Sequence, residues 1–251
     1  MMDAYFARVR PTYIENWTTA LLALSIQQID LPLTLEEARA LGLVNREFSR
    51  WFGGGSIDSI EGIAKRIDAA LCHYPEGAFI RLGSRSGKDS SYAHNRGLRV
   101  TDGHGAIRLL TENSYRIAYD LRLALHHKYR PHIFVRRWLE IPPWSEFRCF
   151  MKGRKLVGIS QYDCRNLGHC ALIATNAERI KAAIGEFFKA FSASSHLDDV
   201  VFDVFVVLDE HDSHGPASVR LLELNPFFQK TDACLFDWTN GGDFDGSFRF
   251  L

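Results

Sequence analysis

The sequence predicts a mixed α+β protein, and three observations carry that expectation. Stretches with helical apolar spacing, such as Ser59–Cys72, share the chain with short apolar runs of strand length. A hairpin reads from Glu146–Met151 and Lys155–Gln161 about a Lys152-Gly153-Arg154 turn. Two further apolar runs, Val200–Leu208 and Val219–Phe228, flank a loop at Asp209–Ser218 that contains His, Ser, Gly and Pro. At 251 residues and 46% hydrophobic content the chain can bury a sizeable core.

Taken in order, Asn16-Trp17 precedes an apolar helix or strand, and Ser25–Leu31 alternates before Pro32. Thr34 is placed to cap a helix, with Glu37 completing a capping box and Gly42 as its stop. Gly53-Gly54-Gly55 lacks the Lys-Ser/Thr of a phosphate loop and reads as a linker or turn. Ser59–Cys72 is an amphipathic helix with Ile60, Ile63, Ala64, Ile67, Ala70 and Leu71 on one face. Ala78–Leu82 is a strand, and Ser114–His127 is a second helix. His132–Ile141 is a strand ended by Pro142-Pro143, and Glu178–Phe191 is a third helix.

Composition narrows the function classes. Lys plus Arg is 30 and Asp plus Glu is 30, for a net charge of +0, so bulk charge does not indicate nucleic acid. No window approaches a membrane span, and Met1–Arg8 lacks the basic start and apolar run of a signal peptide. Cys72, Cys149, Cys164, Cys170 and Cys234 are odd in number and form no C-x-x-C pair, which predicts reduced thiols and a cytoplasmic location. The spacing of Cys164, His169 and Cys170 fits no zinc module.

Two places carry chemistry. Asp203 interrupts an otherwise apolar strand, and alternation puts Glu223 and Asn225 on one face of the next, about 7 Å apart. If the strands pair, three oxygen-bearing side chains converge as a seat for Mg²⁺. A satisfied structural Asp and a Glu-x-Asn turn entry before Pro226 explain the same residues. The second place is Arg81 at the end of its strand, followed by Gly83–Ser91 with Arg85, Ser86 and Lys88. Such a loop is either a phosphate cradle of backbone N–H groups or a solvated turn.

In order along nearly the whole chain, these blocks resemble the cell division cycle protein 123 group of the ATP-grasp superfamily. The resemblance rests on Ile141-Pro142, Glu146-Phe147-Arg148-Cys149-Phe150, Gly158-Ile159-Ser160-Gln161, Val201-Phe202-Asp203-Val204 and Leu224-Asn225-Pro226-Phe227, then Thr231-Asp232 and Leu235-Phe236. Asn16-Trp17, Leu31-Pro32-Leu33, Arg81-Leu82 and Arg137-Trp138 extend it.

The resemblance implies an ATP-grasp fold, two α+β subdomains (about 1–135 and 136–251) holding ATP between them. Carried over by position, Asp203, Glu223 and Asn225 would bind Mg²⁺, and Arg81 would hold phosphate with Ser86 and Lys88. Arg136, Arg137, Trp138 and Leu139 would form the hinge that meets adenine. Arg148 would meet phosphates or substrate, and Gln161 would join the cofactor set. The family commonly has Lys where Arg81 stands and often Asp where Glu223 stands. Eukaryotic members also continue past the position of Leu251 into a tail that helps to grip initiation factor 2. The implied function is an ATP-dependent assembly chaperone with an initiation factor 2 subunit as partner. An ATP-grasp ligase, or nucleotidyl transfer to a protein, peptide or RNA acceptor, stays open beside it.

Overall fold

The computed structural model describes residues 2–51, 55–208 and 217–251. Gly53 and Gly54, and residues 209–216 of the loop between the acid-bearing strands, lie outside the described residues. The elements run α1 Met2–Val9, α2 Thr19–Ala23, β1 Gln28–Pro32, α3 Leu35–Leu43, α4 Arg46–Ser49 and α5 Ser59–Leu71. They continue with β2 Ala78–Leu82, α6 Ser91–Arg96, β3 Arg99–Val100, α7 Gly103–Thr111, α8 Tyr115–His126 and β4 His132–Arg137. Then come β5 Glu146–Lys152, β6 Lys155–Gln161, α9 Cys170–Thr175, α10 Ala177–Ser194, β7 Val200–Val207, β8 Ser218–Pro226 and β9 Phe248–Arg249. No described helix is long and apolar enough to cross a membrane.

Contacts divide the chain into two units. Unit 1 is Met1–Glu15 with Gln27–Leu139, and unit 2 is Asn16–Ile26 with Glu140–Leu251. By these contacts the segment around α2 groups with the C-terminal residues. Thr18, the cap of α2, donates through its hydroxyl to Ser194 O at 2.9 Å, and Ser25 Oγ donates to Leu221 O at 2.8 Å. These bonds span more than 170 positions of sequence, which no local pattern reveals.

Unit 1 holds an antiparallel four-stranded sheet in the order β1-β4-β2-β3. Alternation sends Ile80 and Leu82 of β2 and Ile133 and Val135 of β4 into the core, with Ile63, Ile67, Leu109 and Leu121 of the helices. The other face carries Phe79, Arg81, Phe134 and Arg136. Thr34 caps α3 through the expected capping box with Glu37. Gly42 is not the stop: it lies inside α3, which ends at Leu43 with Val44 as its cap. A Cβ at Gly42 would lie 2.8 Å from the Phe48 ring, so this glycine serves close packing. β4 ends at Arg137, four residues short of the expected end at Ile141. The sequence reading has no α7, because its opening Gly103-His104-Gly105 has low helix propensity. Asp102 caps that helix, and a Cβ at Gly103 would lie 2.2 Å from Ala64 O of α5.

Unit 2 holds a five-stranded sheet in the order β8-β7-β5-β6-β9, antiparallel except for the short β6–β9 edge. The β5–β6 hairpin turns at Gly153 (φ 54°) and Arg154 (φ 59°), both left-handed, as a two-residue turn matched to strand twist requires. Arg154 is held there by Asp198 Oδ1 at 2.7 Å and Ser192 O at 2.8 Å. One sheet face meets α10, where Phe191 stacks on Phe202 with centroids 4.1 Å apart. The other face meets the C-terminal segment, where Phe150 packs with Phe236, Phe244 and Trp238.

Candidate functional site

β7 and β8 pair antiparallel, with Asp203 opposite Glu223 and Val201 opposite Asn225. Directly opposed residues share a face, so Asp203, Glu223 and Asn225 converge as the alternation predicts. The register extends the row. Arg148 of β5 lies opposite Asp203, Ser160 of β6 opposite Arg148, and Arg249 of β9 beside Ser160. A polar row thus crosses the sheet on the face away from α10.

Its centre is a buried ion pair. Asp203 is 4% exposed and Arg148 is 6% exposed. Burying either charge alone would be costly, and the guanidinium answers the carboxylate with a two-pronged contact. Arg148 Nε donates to Asp203 Oδ1 and Nη2 to Oδ2, each at 2.8 Å. Nη1 donates to Asp232 O at 2.9 Å, and the Tyr162 ring lies 4.9 Å from the guanidinium carbon. Asn225 Nδ2 adds a donor to Asp203 Oδ2 at 3.2 Å. Burial works against the Arg148 charge, but Asp203 more than offsets it and raises the pKa, so Arg148 stays cationic. Burial, and then Asp203, pushes the Tyr162 hydroxyl up. Burial pushes Cys234 up to about 12, so this neighbour of Arg148 is a thiol at neutral pH.

Two carboxylates and an amide form a hard donor set, which suits Mg²⁺. The fit has two conditions. Asp203 must use lone pairs beyond those taken by Arg148, which a carboxylate has. The Asn225 amide must turn so that Oδ1, not Nδ2, faces the acids. The second is met by a flip of the amide, which exchanges oxygen and nitrogen in place, and the residues fit the ion.

The remaining expected residues fall in different settings. Arg81 is 3% exposed, donates through Nε to Leu82 O at 3.0 Å, and is bridged across the turn to the buried Ser86. Lys88 is exposed. Arg85 is committed within unit 1 to the buried Asp120, at 3.1 Å. A Cβ at Gly87 would lie 2.3 Å from Leu109 O, so packing accounts for that glycine. Arg136 is buried on the same sheet face as Arg81, Arg137 is exposed, and Trp138 and Leu139 follow the strand end half-buried. Gln161 is fully buried with both amide ends on backbone: Nε2 donates to Asp163 O at 2.9 Å, and Oε1 accepts from Leu251 N at 3.1 Å. The sequence reading missed Tyr162, Ser160 and the Asp232 carbonyl, none of which stands out by type or spacing.

Fold and site together define a mixed α+β protein of two sheet-bearing units, one with a charged row buried across its sheet. The sequence model of the D123 family matches residues 49–241, most of the chain, and the protein belongs to that family. The chain is 36% identical over 107 residues to a translation initiation factor eIF2 assembly protein of Xenopus laevis, covering 42% of this chain and 29% of that one. It is 25% identical over 196 residues to the eIF2 assembly protein of Candida albicans, covering 72% and 54%. The matches therefore span between about a quarter and a half of these relatives. The structure of Cdc123 from Schizosaccharomyces pombe superposes with a TM-score of 0.72 at 20% identity, covering 92% of this chain and 90% of that one. That likeness is one of fold.

Proposed function

We propose that this chain is an Mg–ATP-binding protein of ATP-grasp type that acts in assembling a translation initiation factor eIF2 complex. The observation that carries the nucleotide half is the convergence of Asp203, Glu223 and Asn225 on one sheet face. Asp203 and Glu223 supply the negative charge, and the Asn225 amide oxygen completes the set. Bound Mg²⁺ would offset the charge of the triphosphate. Arg148 fixes the Asp203 carboxylate in one orientation through two bonds. In unit 1, Arg81 supplies a cation for phosphate from strand β2. The assembly half rests on the curated relatives, which are named for that role.

Calorimetry and thermal melts with Mg–ATP test the nucleotide half. Ligand at a hundredfold excess over Kd adds about 2.7 kcal/mol by mass action. Glu223→Gln is expected to weaken binding in Mg²⁺ while leaving the melt of the ligand-free protein near wild type. No response of the wild type to millimolar Mg–ATP overturns the reading. For the assembly half, purified eIF2 subunits should associate faster with the chain and Mg–ATP than with Mg–ATP alone. Rapid release of ADP or AMP by the chain by itself would make it an enzyme instead.

A further inference from the structure

Gln28 opens β1 and lies opposite Arg136 of β4, which lies opposite Phe79 of β2. The three therefore share the face of the unit 1 sheet that points away from its hydrophobic core, the face that also carries Arg81. Both polar atoms of the Gln28 side chain, Nε2 and Oε1, are buried, and among the described residues neither has a hydrogen-bond partner. An amide with both polar atoms enclosed and neither end met is destabilising, and this protein does not treat its fully buried Asn45 and Gln161 amides that way. Gln161 has a backbone group at each end.

The pattern of unmet groups describes what should meet them. A primary amide presents an N–H donor beside a carbonyl acceptor along one edge of its plane. A phosphate has only acceptors and would leave Oε1 unmet, and an apolar group would meet neither. A nucleobase edge carries a donor and an acceptor side by side, as adenine does with its N6 amine beside N7, and a glutamine amide pairs with that edge through two bonds. The neighbours agree with a nucleotide. Phe79 is half-buried on the same face and offers a ring, and Arg81 and Arg136 offer cations for phosphate.

We propose that Gln28 is the side chain that hydrogen-bonds the base of the bound nucleotide. This rests on the nucleotide reading above and adds to it the residue that separates a nucleotide from a bare polyphosphate. The role is one of recognition, since the amide has no group to transfer and no proton to move.

The test is calorimetry on the full chain with Mg–ATP and, separately, Mg–tripolyphosphate, for wild type and Gln28→Leu. Leucine keeps the bulk and removes both unmet groups. The expected result is a split: Gln28→Leu melts higher than wild type without ligand, binds ATP at least tenfold more weakly, and binds tripolyphosphate as wild type does. Gln28→Met, with a different shape and no amide, should repeat the split and guards against a folding defect in the first variant. Equal ATP affinity in wild type and both variants overturns the proposal, as does an equal loss for ATP and tripolyphosphate. Wild type that binds ATP no more tightly than tripolyphosphate overturns this proposal alone. Wild type that binds neither ligand overturns the nucleotide reading and this proposal with it.

Discussion

On the sheet of unit 2, Asp203 receives two bonds from Arg148 and one from Asn225, and Arg148 spends its third nitrogen on Asp232 O. On the sheet of unit 1, Gln28 is half-buried as a residue, yet both polar atoms of its amide are enclosed and meet no described partner. Both sheets have an apolar face under helices and carry their buried polar side chains, among aromatic rings, on the other side. The difference lies in who satisfies the polar face. In unit 2 the protein completes its own network around the Asp203 carboxylate and holds it in one orientation. In unit 1 the Gln28 amide is left unmet, and we propose a nucleotide base to meet it. A buried polar atom is therefore read by its partners, since enclosure accompanies both outcomes.

The largest effect is expected where the closed network is broken on one side. Asp203→Leu leaves the Arg148 guanidinium buried without its counter-charge, and should cost about 3–5 kcal/mol in urea unfolding. Replacing both partners, with Asp203→Leu and Arg148→Met, should restore most of that loss, because two apolar groups need no pairing. A double variant as unstable as the single one would show that the row is not held by this pair.

Unit 1 does pair one buried charge of its own, Asp120 with Arg85. Arg85→Met should cost about 2 kcal/mol at pH 7, the scale of a hydrogen bond to a charged group. Burial raises the Asp120 pKa above its ordinary value, with Arg85 opposing. A raised carboxyl pKa in the fold means that its contribution is fully present below the unfolded value and is lost as pH rises through the folded one. The Arg85→Met deficit should therefore shrink when melts are repeated at pH 4 to 5. A deficit independent of pH would place its origin in packing.

Gln161→Leu is the counterpart of the Gln28 test. It strands Asp163 O and Leu251 N, so it should lower stability by about 1–2 kcal/mol, where Gln28→Leu raises it. Two changes of the same sign would end the contrast between the two amides.

The smallest effect is at the exposed edge of unit 1. The hydrogen bond that His132 Nδ1 donates to Asp30 Oδ1, at 2.7 Å, raises the His132 pKa against the opposing effect of burial. The stability linked to it is present below the unfolded histidine value and fades as pH rises through the folded one. Asp30→Asn should move the His132 titration to lower pH, read from its ring protons by NMR. An unmoved titration would mean that the pair does not form in solution.

The sequence by itself determined what local geometry can determine. Alternation along Val200–Val207 and Ser218–Pro226 aligned Asp203, Glu223 and Asn225, since antiparallel strands leave only one face for residues two apart. Thr34 and Glu37 announced a helix start because a capping box closes within four residues. Gly153-Arg154 turned a hairpin because its strands are adjacent in sequence. The rest was decided by contacts across long separations. Arg148 and Asp203 are 55 positions apart, and nothing near either one says that they will pair. Gly42 and Gly103 are ordinary helix-breakers until Phe48 and Ala64 come within reach of a missing Cβ. Whether Gln28 or Gln161 is satisfied depends on which backbone groups the fold brings to each amide, and only the tertiary structure assembles those partners.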